Sequence, residues 1–202
     1  MTLWRADAPL LLASASAARR AMFEAAGIPI DVLPASVDER SLQRGSGLRG
    51  GEEVALLLAK AKAHAISAAS PHRIVVGADQ TLSCAGALFS KPANAQAAFE
   101  QLMALRGRTH ELHSAVAVAR GDTLLFEHCA SARLTMRPFS DAFARSYLDV
   151  LGVAATQSVG VYQIEGLGAH LFSEIDGDHF TILGLPLLPL LAFLRDHGLL
   201  QM

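Results

Sequence analysis

The sequence predicts an α/β protein: a mixed sheet flanked by helices, in one domain covering residues 1–202. Three observations carry this. Short apolar runs bounded by turn residues, at 10–13 and 74–78, have the length and composition of buried strands. Between them lie stretches with apolar residues at helical spacing, such as Val54, Leu57, Leu58, Ala61 and Ala65. The two kinds of segment mix without a strict βαβ rhythm, so the sheet should hold both parallel and antiparallel neighbours.

In chain order, 10–13 is a first strand. Ser16 can cap a helix that runs to about Ala26 and ends at Gly27. Residues 28–34 alternate as a second strand, with Ile28, Ile30 and Val32 on one face. The glycine-rich polar stretch 44–53, RGSGLRGGEE, reads as a mobile loop. A helix follows, then the strand 74–78 and a turn around Gly86. Asn94 caps a helix to about Leu105. Two strands joined at 120–123 (RGDT) read as a hairpin. Residues 140–152 form a capped helix ending at Gly152. The last third is glycine-punctuated and strand-like, closing on a helix with Leu187, Leu190, Leu191 and Leu194 on one stripe.

With 51% hydrophobic residues in 202, the chain can bury one substantial core, in one or two lobes. A net charge of −2 and a pI near 6.4 argue against a duplex-binding surface. Cys84 and Cys129 fit neither a zinc spacing nor a disulfide framework, and read as free thiols in a reducing compartment. Asp7 and Pro9 cut the N-terminal apolar stretch below the length of a signal peptide's core, and 182–194 is too short to span a bilayer. A soluble cytoplasmic protein is expected, without nucleic-acid or membrane partners.

Five stretches can carry chemistry. LASASAARR (12–20) puts two hydroxyls and two arginines where a strand feeds a helix, an arrangement suited to a phosphate. Alone, it reads rather as a plain serine cap with solvated arginines. PASVDER (34–40) offers Asp38 and Glu39, a pair that can hold Mg²⁺ or stand on a surface turn. In LAKAKAHA, Lys60 and Lys62 are two apart and point to different helix faces, so at most one can share a given cleft. GADQT delivers Asp79 where a strand opens into a loop; a buried carboxylate there requires a cation or hydrogen-bond network. Lys91, held extended by Pro92, can reach a phosphate or lie in solvent. His110 and His113 fall on opposite faces of a strand and make no metal pair. No P-loop, dinucleotide fingerprint or nucleophile elbow is present.

Taken in order, LASASAARR, PASVDE, AKAKA, VVGADQT, SKP, LRGRTHELHSAVAV, SYLD, VYQIEGLGAHLFSEIDGD and LGLPLLPLLAFL resemble the Maf family of nucleoside triphosphate pyrophosphatases from about Leu10 to Leu194. The resemblance implies a Maf/inosine triphosphatase-like fold, an elongated twisted mixed sheet with a deep cleft between two lobes, often in a homodimer. It implies hydrolysis of an NTP to NMP and diphosphate with a divalent metal ion, Mg²⁺ or Mn²⁺. It assigns Asp79 as proton acceptor, Ser14, Arg19, Lys60 and Lys91 as phosphate contacts, the two lysines catalytic with Asp79, and Glu39 with Asp79 as metal ligands.

Three positions track substrate in that family: Ala18, Gln80 and Glu165. Gln80 and Glu165 match the subgroup resembling 7-methyl-GTP pyrophosphatases, whereas Ala18 stands where that subgroup has tryptophan. Glu165 offers two acceptors, as the donor pair of guanine requires. Gln80 is expected to serve a base carbonyl. Tyr162 or Phe180 is expected to replace the missing stacking ring. The alternatives are a dTTP/UTP-type enzyme, or a nucleotide-binding regulator of septum formation.

Overall fold

A computed structural model describes residues 3–201. Its strands are β1 (Leu10–Leu12), β2 (Ile30–Val32), β3 (Val75–Cys84), β4 (Ala87–Phe89), β5 (Thr109–Arg120), β6 (Thr123–Met136) and β7 (Phe172–Asp176). They form one mixed sheet in the order β2-β1-β3-β5-β6-β7, with β4 paired to β3 off that path. β1 runs parallel to β2 and β3; the other pairings are antiparallel. The helices are α1 (Ala17–Ala25), α2 (Glu39–Ser46), α3 (Gly51–Ser67), α4 (Ala95–Leu105), α5 (Asp141–Leu151), α6 (His179–Ile182) and α7 (Leu187–Asp196).

β3 organises the molecule. One edge pairs with β5 from Val75 to Ser83. The other pairs with β1 at Val75 and Val76 and with β4 from Leu82 to Cys84. Between those two partners the edge has no strand neighbour, and the sheet forks. Two apolar clusters lie towards the two ends of the fork. One holds Leu10, Leu12, Phe23, Val76, Val118 and Leu190. The other holds Leu82, Leu102, Leu112, Leu134 and Met136. Each fully buried side chain of this size contributes roughly 1.5–3 kcal/mol.

α3 packs on the opposite face through small residues. Ala55, Ala59 and Ala63 meet Ala115, Ala117 and Ala119 of β5. Gly77 of β3 lies under the helix backbone, where a Cβ would come within 2.2 Å of the Ala59 carbonyl oxygen and 2.6 Å of the Ala63 nitrogen. The helix N-terminus is as close, for a Cβ on Gly51 would sit 2.2 Å from the His113 ring.

Four expectations change. β3 continues to Cys84, so Asp79 stands in mid-strand and not where a strand opens into a loop. The stretch 44–53 is not one mobile loop: it contains the end of α2, a short connection and the first turn of α3, where Gly51 is buried and Glu52 and Glu53 are exposed. Gly51 is there for close packing. The apolar stripe of α3 splits: Leu57, Ala61 and Ala65 face a groove beside α2, while Val54, Ala55, Leu58, Ala59 and Ala63 are buried. Finally, the last third holds three 3-10 turns and one strand, β7, rather than several. The capped helices and the hairpin at Gly121 stand as read. Both cysteines are free thiols, and no described helix is long and apolar enough to cross a membrane.

Candidate active site

The open stretch of β3 floors a cleft of about 1080 Å³. Asp79 and Gln80 are adjacent, so their side chains leave opposite faces of the sheet. Both reach the cleft because no strand covers this edge. Asp79 points to the α3 face. Lys62 Nζ donates to its Oδ1 at 2.6 Å and also meets Glu39 Oε1 at 2.7 Å. Glu39 is the first residue of α2, whose N-terminus Asp38 caps through the Ser41 N–H. One ammonium thus draws two carboxylates together. Burial raises the Asp79 pKa above its ordinary 3.8, with Lys62 and Arg19 opposing.

Lys60 is not in this group. It pairs with Glu127 of β6 at 2.9 Å, half-exposed on the far flank of α3. Two helical steps turn the side chain by about 200°, so the alanine seam that puts Lys62 over β3 puts Lys60 over β6. The lysine beside Asp79 is Lys62.

Ser14 comes from the β1–α1 connection and Arg19 from the first turn of α1. Ser16 caps α1 by accepting from the Arg19 N–H at 3.3 Å. The buried guanidinium is largely committed. Nε donates to the Gly184 carbonyl at 2.8 Å, and Nη1 to the Ala78 carbonyl at 2.9 Å and Ser14 Oγ at 3.0 Å. Arg19 therefore fills the strand edge where β1 has ended, and Nη2 is left for another partner. Ser14 Oγ also accepts from the Ser16 N–H at 3.3 Å, so its own hydrogen remains to donate. Burial lowers the Arg19 pKa, with Asp79 and Glu39 opposing.

Gln80 points to the other face. Its Nε2 lies 3.0 Å from Ser114 Oγ, 3.2 Å from the Thr181 carbonyl and 3.1 Å from the Ile182 carbonyl. Ser114 Oγ donates to the Thr181 carbonyl at 2.7 Å, so it accepts from Gln80. Surrounded by acceptors, that end must be the NH₂, and the carbonyl oxygen is the uncommitted end. Gln80 thus offers an acceptor rather than the donor a base carbonyl would need. Ser114 was missed in the sequence, though a hydroxyl inside the run HSAVAVA is the available signal.

Lys91, Ala18 and Glu165 also line the cleft. Glu165 is exposed, 3.5 Å from His179 Nε2. Of the two rings expected to stack, Tyr162 lines the cleft and Phe180 does not. The Tyr162 hydroxyl lies 2.7 Å from His110 Nε2, and its ring meets Phe172 edge-on at 4.8 Å. The chain reaches Tyr162 through two left-handed residues, Gly160 at φ 81° and Val161 at φ 65°. For a β-branched residue this costs about 1–3 kcal/mol and needs outside support. The Tyr147 hydroxyl supplies some, donating to the Val161 carbonyl at 2.9 Å.

The donor set fits a hard divalent cation. Mg²⁺ takes one or two carboxylates and fills its remaining positions with waters and substrate phosphates. Glu39 and Asp79, within reach of one ammonium, supply such a pair. No cluster of three or more His, Cys, Asp or Glu able to hold a metal occurs among the described residues.

Fold and cleft together define the class: an α/β protein whose mixed sheet carries a charged cleft on one open strand edge. Within that class, the model of the family described as Maf-like protein matches residues 9–197, and the chain belongs to the Maf family. It is 54% identical over 202 residues to a nucleoside triphosphate pyrophosphatase of Nitrobacter winogradskyi, covering 100% of both chains. It is 56% identical over 200 residues to one of Rhodopseudomonas palustris, covering 99% of both. Among solved structures, a HAM1 protein from Coxiella burnetii aligns with TM-score 0.45 and 14% identity, covering 63% of this chain and 72% of its own.

Proposed function

We propose that this chain is a metal-dependent nucleoside triphosphate pyrophosphatase that hydrolyses an NTP to NMP and diphosphate and prefers a guanine-type base. The observation that carries the reading is the Glu39–Lys62–Asp79 group on the cleft floor, in a chain with full-length relatives of that name. A triphosphate brings roughly four negative charges and needs cations aimed at its oxygens. Lys62, Lys91, the free edge of Arg19 and the Ser14 hydroxyl supply donors around one space. A divalent ion held by Glu39 and Asp79 would neutralise charge on the phosphates.

The reaction asks a proton acceptor to stand still beside the α-phosphorus. Water attacks that phosphorus, its proton passes to Asp79, and diphosphate leaves. Mid-strand placement gives Asp79 the required rigidity. Its raised pKa favours proton acceptance. Approach of the triphosphate gives Lys62 new anionic partners and lets Asp79 turn from ion pairing to the water.

Base preference follows from hydrogen-bond polarity. Gln80 and Glu165 both offer acceptors. Guanine places two donors, N1–H and the N2 amine, on one edge, whereas uracil and thymine place one donor between two acceptors. An acceptor facing an acceptor leaves both unpaired, at about 1–3 kcal/mol each. Ala18 has no π face, and Tyr162 is a buried core residue with its hydroxyl held by His110, so the preference rests on the hydrogen-bonding edge of the base and not on stacking.

The test is diphosphate release with Mg²⁺ or Mn²⁺ across the four NTPs, dTTP, ITP and 7-methyl-GTP. Guanine nucleotides should lead, and UTP and dTTP should be poor substrates. A preference for UTP or dTTP would refute the base assignment. Hydrolysis of none of them would refute the enzyme.

A further inference from the structure

We propose that Gln101 is a positioning residue that braces the two lips of the cleft against each other; this rests on the nucleotide reading above. Gln101 lies on α4, behind the cleft and not in its lining. Its Nε2 donates to the Ser90 carbonyl at 2.9 Å. Its Oε1 accepts from the Gly160 N–H at 2.8 Å. A carbonyl can only accept and an N–H can only donate, so the amide has one possible orientation and both ends are used.

The two anchored segments are distant in sequence and share one apolar cluster, to which Phe89 and Val161 both belong. Ser90 immediately precedes Lys91, and both line the cleft. Gly160 opens the left-handed turn that delivers Tyr162 and, three residues on, Glu165. One lip thus carries a cation assigned to the triphosphate, and the other carries Glu165, assigned to the base. The apolar cluster brings the lips together, and the Gln101 amide is the hydrogen-bonded tie that fixes their register. The turn needs this help, because Val161 holds a backbone conformation that β-branched residues avoid. Tyr147 secures the carbonyl after the turn and Gln101 the amide before it.

Two substitutions separate the arms. Gln101→Glu keeps an acceptor for Gly160 but turns a carboxylate towards the Ser90 carbonyl, releasing the Lys91 lip. Gln101→Met keeps the volume and releases both lips. Diphosphate release from GTP and UTP, calorimetric affinity for a non-hydrolysable GTP analogue with Mg²⁺, and the thermal midpoint are measured for both, and in a Lys91→Ala background. Gln101→Glu should lower kcat/KM by about 10-fold with the GTP:UTP ratio unchanged. That loss should shrink to about twofold or less once Lys91 is gone, as coupled residues require. Gln101→Met should also narrow the GTP:UTP ratio.

Wild-type values of kcat/KM in both variants would overturn the brace. So would equal losses on both nucleotides that persist undiminished without Lys91, which is the mark of a merely stabilising residue. Should the wild-type chain bind nucleotide but not turn it over, the enzyme assignment fails instead. The brace is then upheld or overturned by the same pattern in analogue affinity.

Discussion

At the scale of single residues, the site turns on which lysine faces Asp79. Lys62→Met removes the nearest cation from a buried carboxylate, and breaking such a pair costs about 3–5 kcal/mol. Activity should fall by at least about 100-fold. Lys60→Met removes a half-exposed pair worth about 0–1 kcal/mol and should leave activity within about twofold. Equal losses in the two variants would sink the assignment. Asp79→Asn should abolish turnover while leaving nucleotide binding measurable by calorimetry. Because burial raises the Asp79 pKa, the acid limb of kcat/KM should lie above the ordinary carboxylate value of 3.8. Much of this was legible in the sequence: Ser14, Arg19, Glu39, Asp79 and Lys91 sit in recognisable motifs and line one cleft. The choice between Lys60 and Lys62 was not, because it depends on the rotation of α3. Gln80's polarity was hidden too, since three acceptors distant in sequence dictate it.

At the scale of elements, the α3–sheet seam and α2 make opposite demands on glycine. Gly77→Ala would drive a methyl into the α3 backbone, a clash that no rotamer change relieves. Overpacking costs about 1–3 kcal/mol, and the midpoint should drop by several degrees. Gly45, inside the exposed helix α2, has open space around its Cβ position and no left-handed φ. Gly45→Ala should stabilise by about 0.5–1 kcal/mol. Denaturant midpoints of the two variants moving the same way would contradict this account. The capped helices were readable because their signals are local: Ser16, Asn94 and Ser140 each accept from a backbone N–H three residues on. The glycine-rich stretch was misread because glycine at a close contact and glycine in a flexible loop look alike in sequence. The end of β3 was misplaced because its polar continuation is held by pairing with β5 as far as Ser83, a partner distant in sequence that local pattern does not reveal.

At the scale of the molecule, His110 ties stability to pH. It is buried, its Nδ1 has no hydrogen-bond partner, and burial pushes its pKa from 6.5 down to about 4. The folded state keeps it neutral, while the unfolded chain takes up a proton below pH 6.5. Stability is therefore complete above 6.5 and declines as pH falls to about 4, by on the order of 3 kcal/mol. Thermal midpoints across that window should fall for the wild type and less steeply for His110→Leu; parallel curves would rule His110 out as the cause. The class of fold was legible as a whole because a mixed alternation of strands and helices permits few layered solutions. The fork was not, since it reflects three strands of unequal length in register. It has a consequence for how the chain comes apart. β3 and β5 run through both apolar clusters, so neither half can melt and leave the other its sheet. Backbone amides on either side of the fork should exchange with solvent deuterium through the same global opening, and the protein should unfold in one cooperative step.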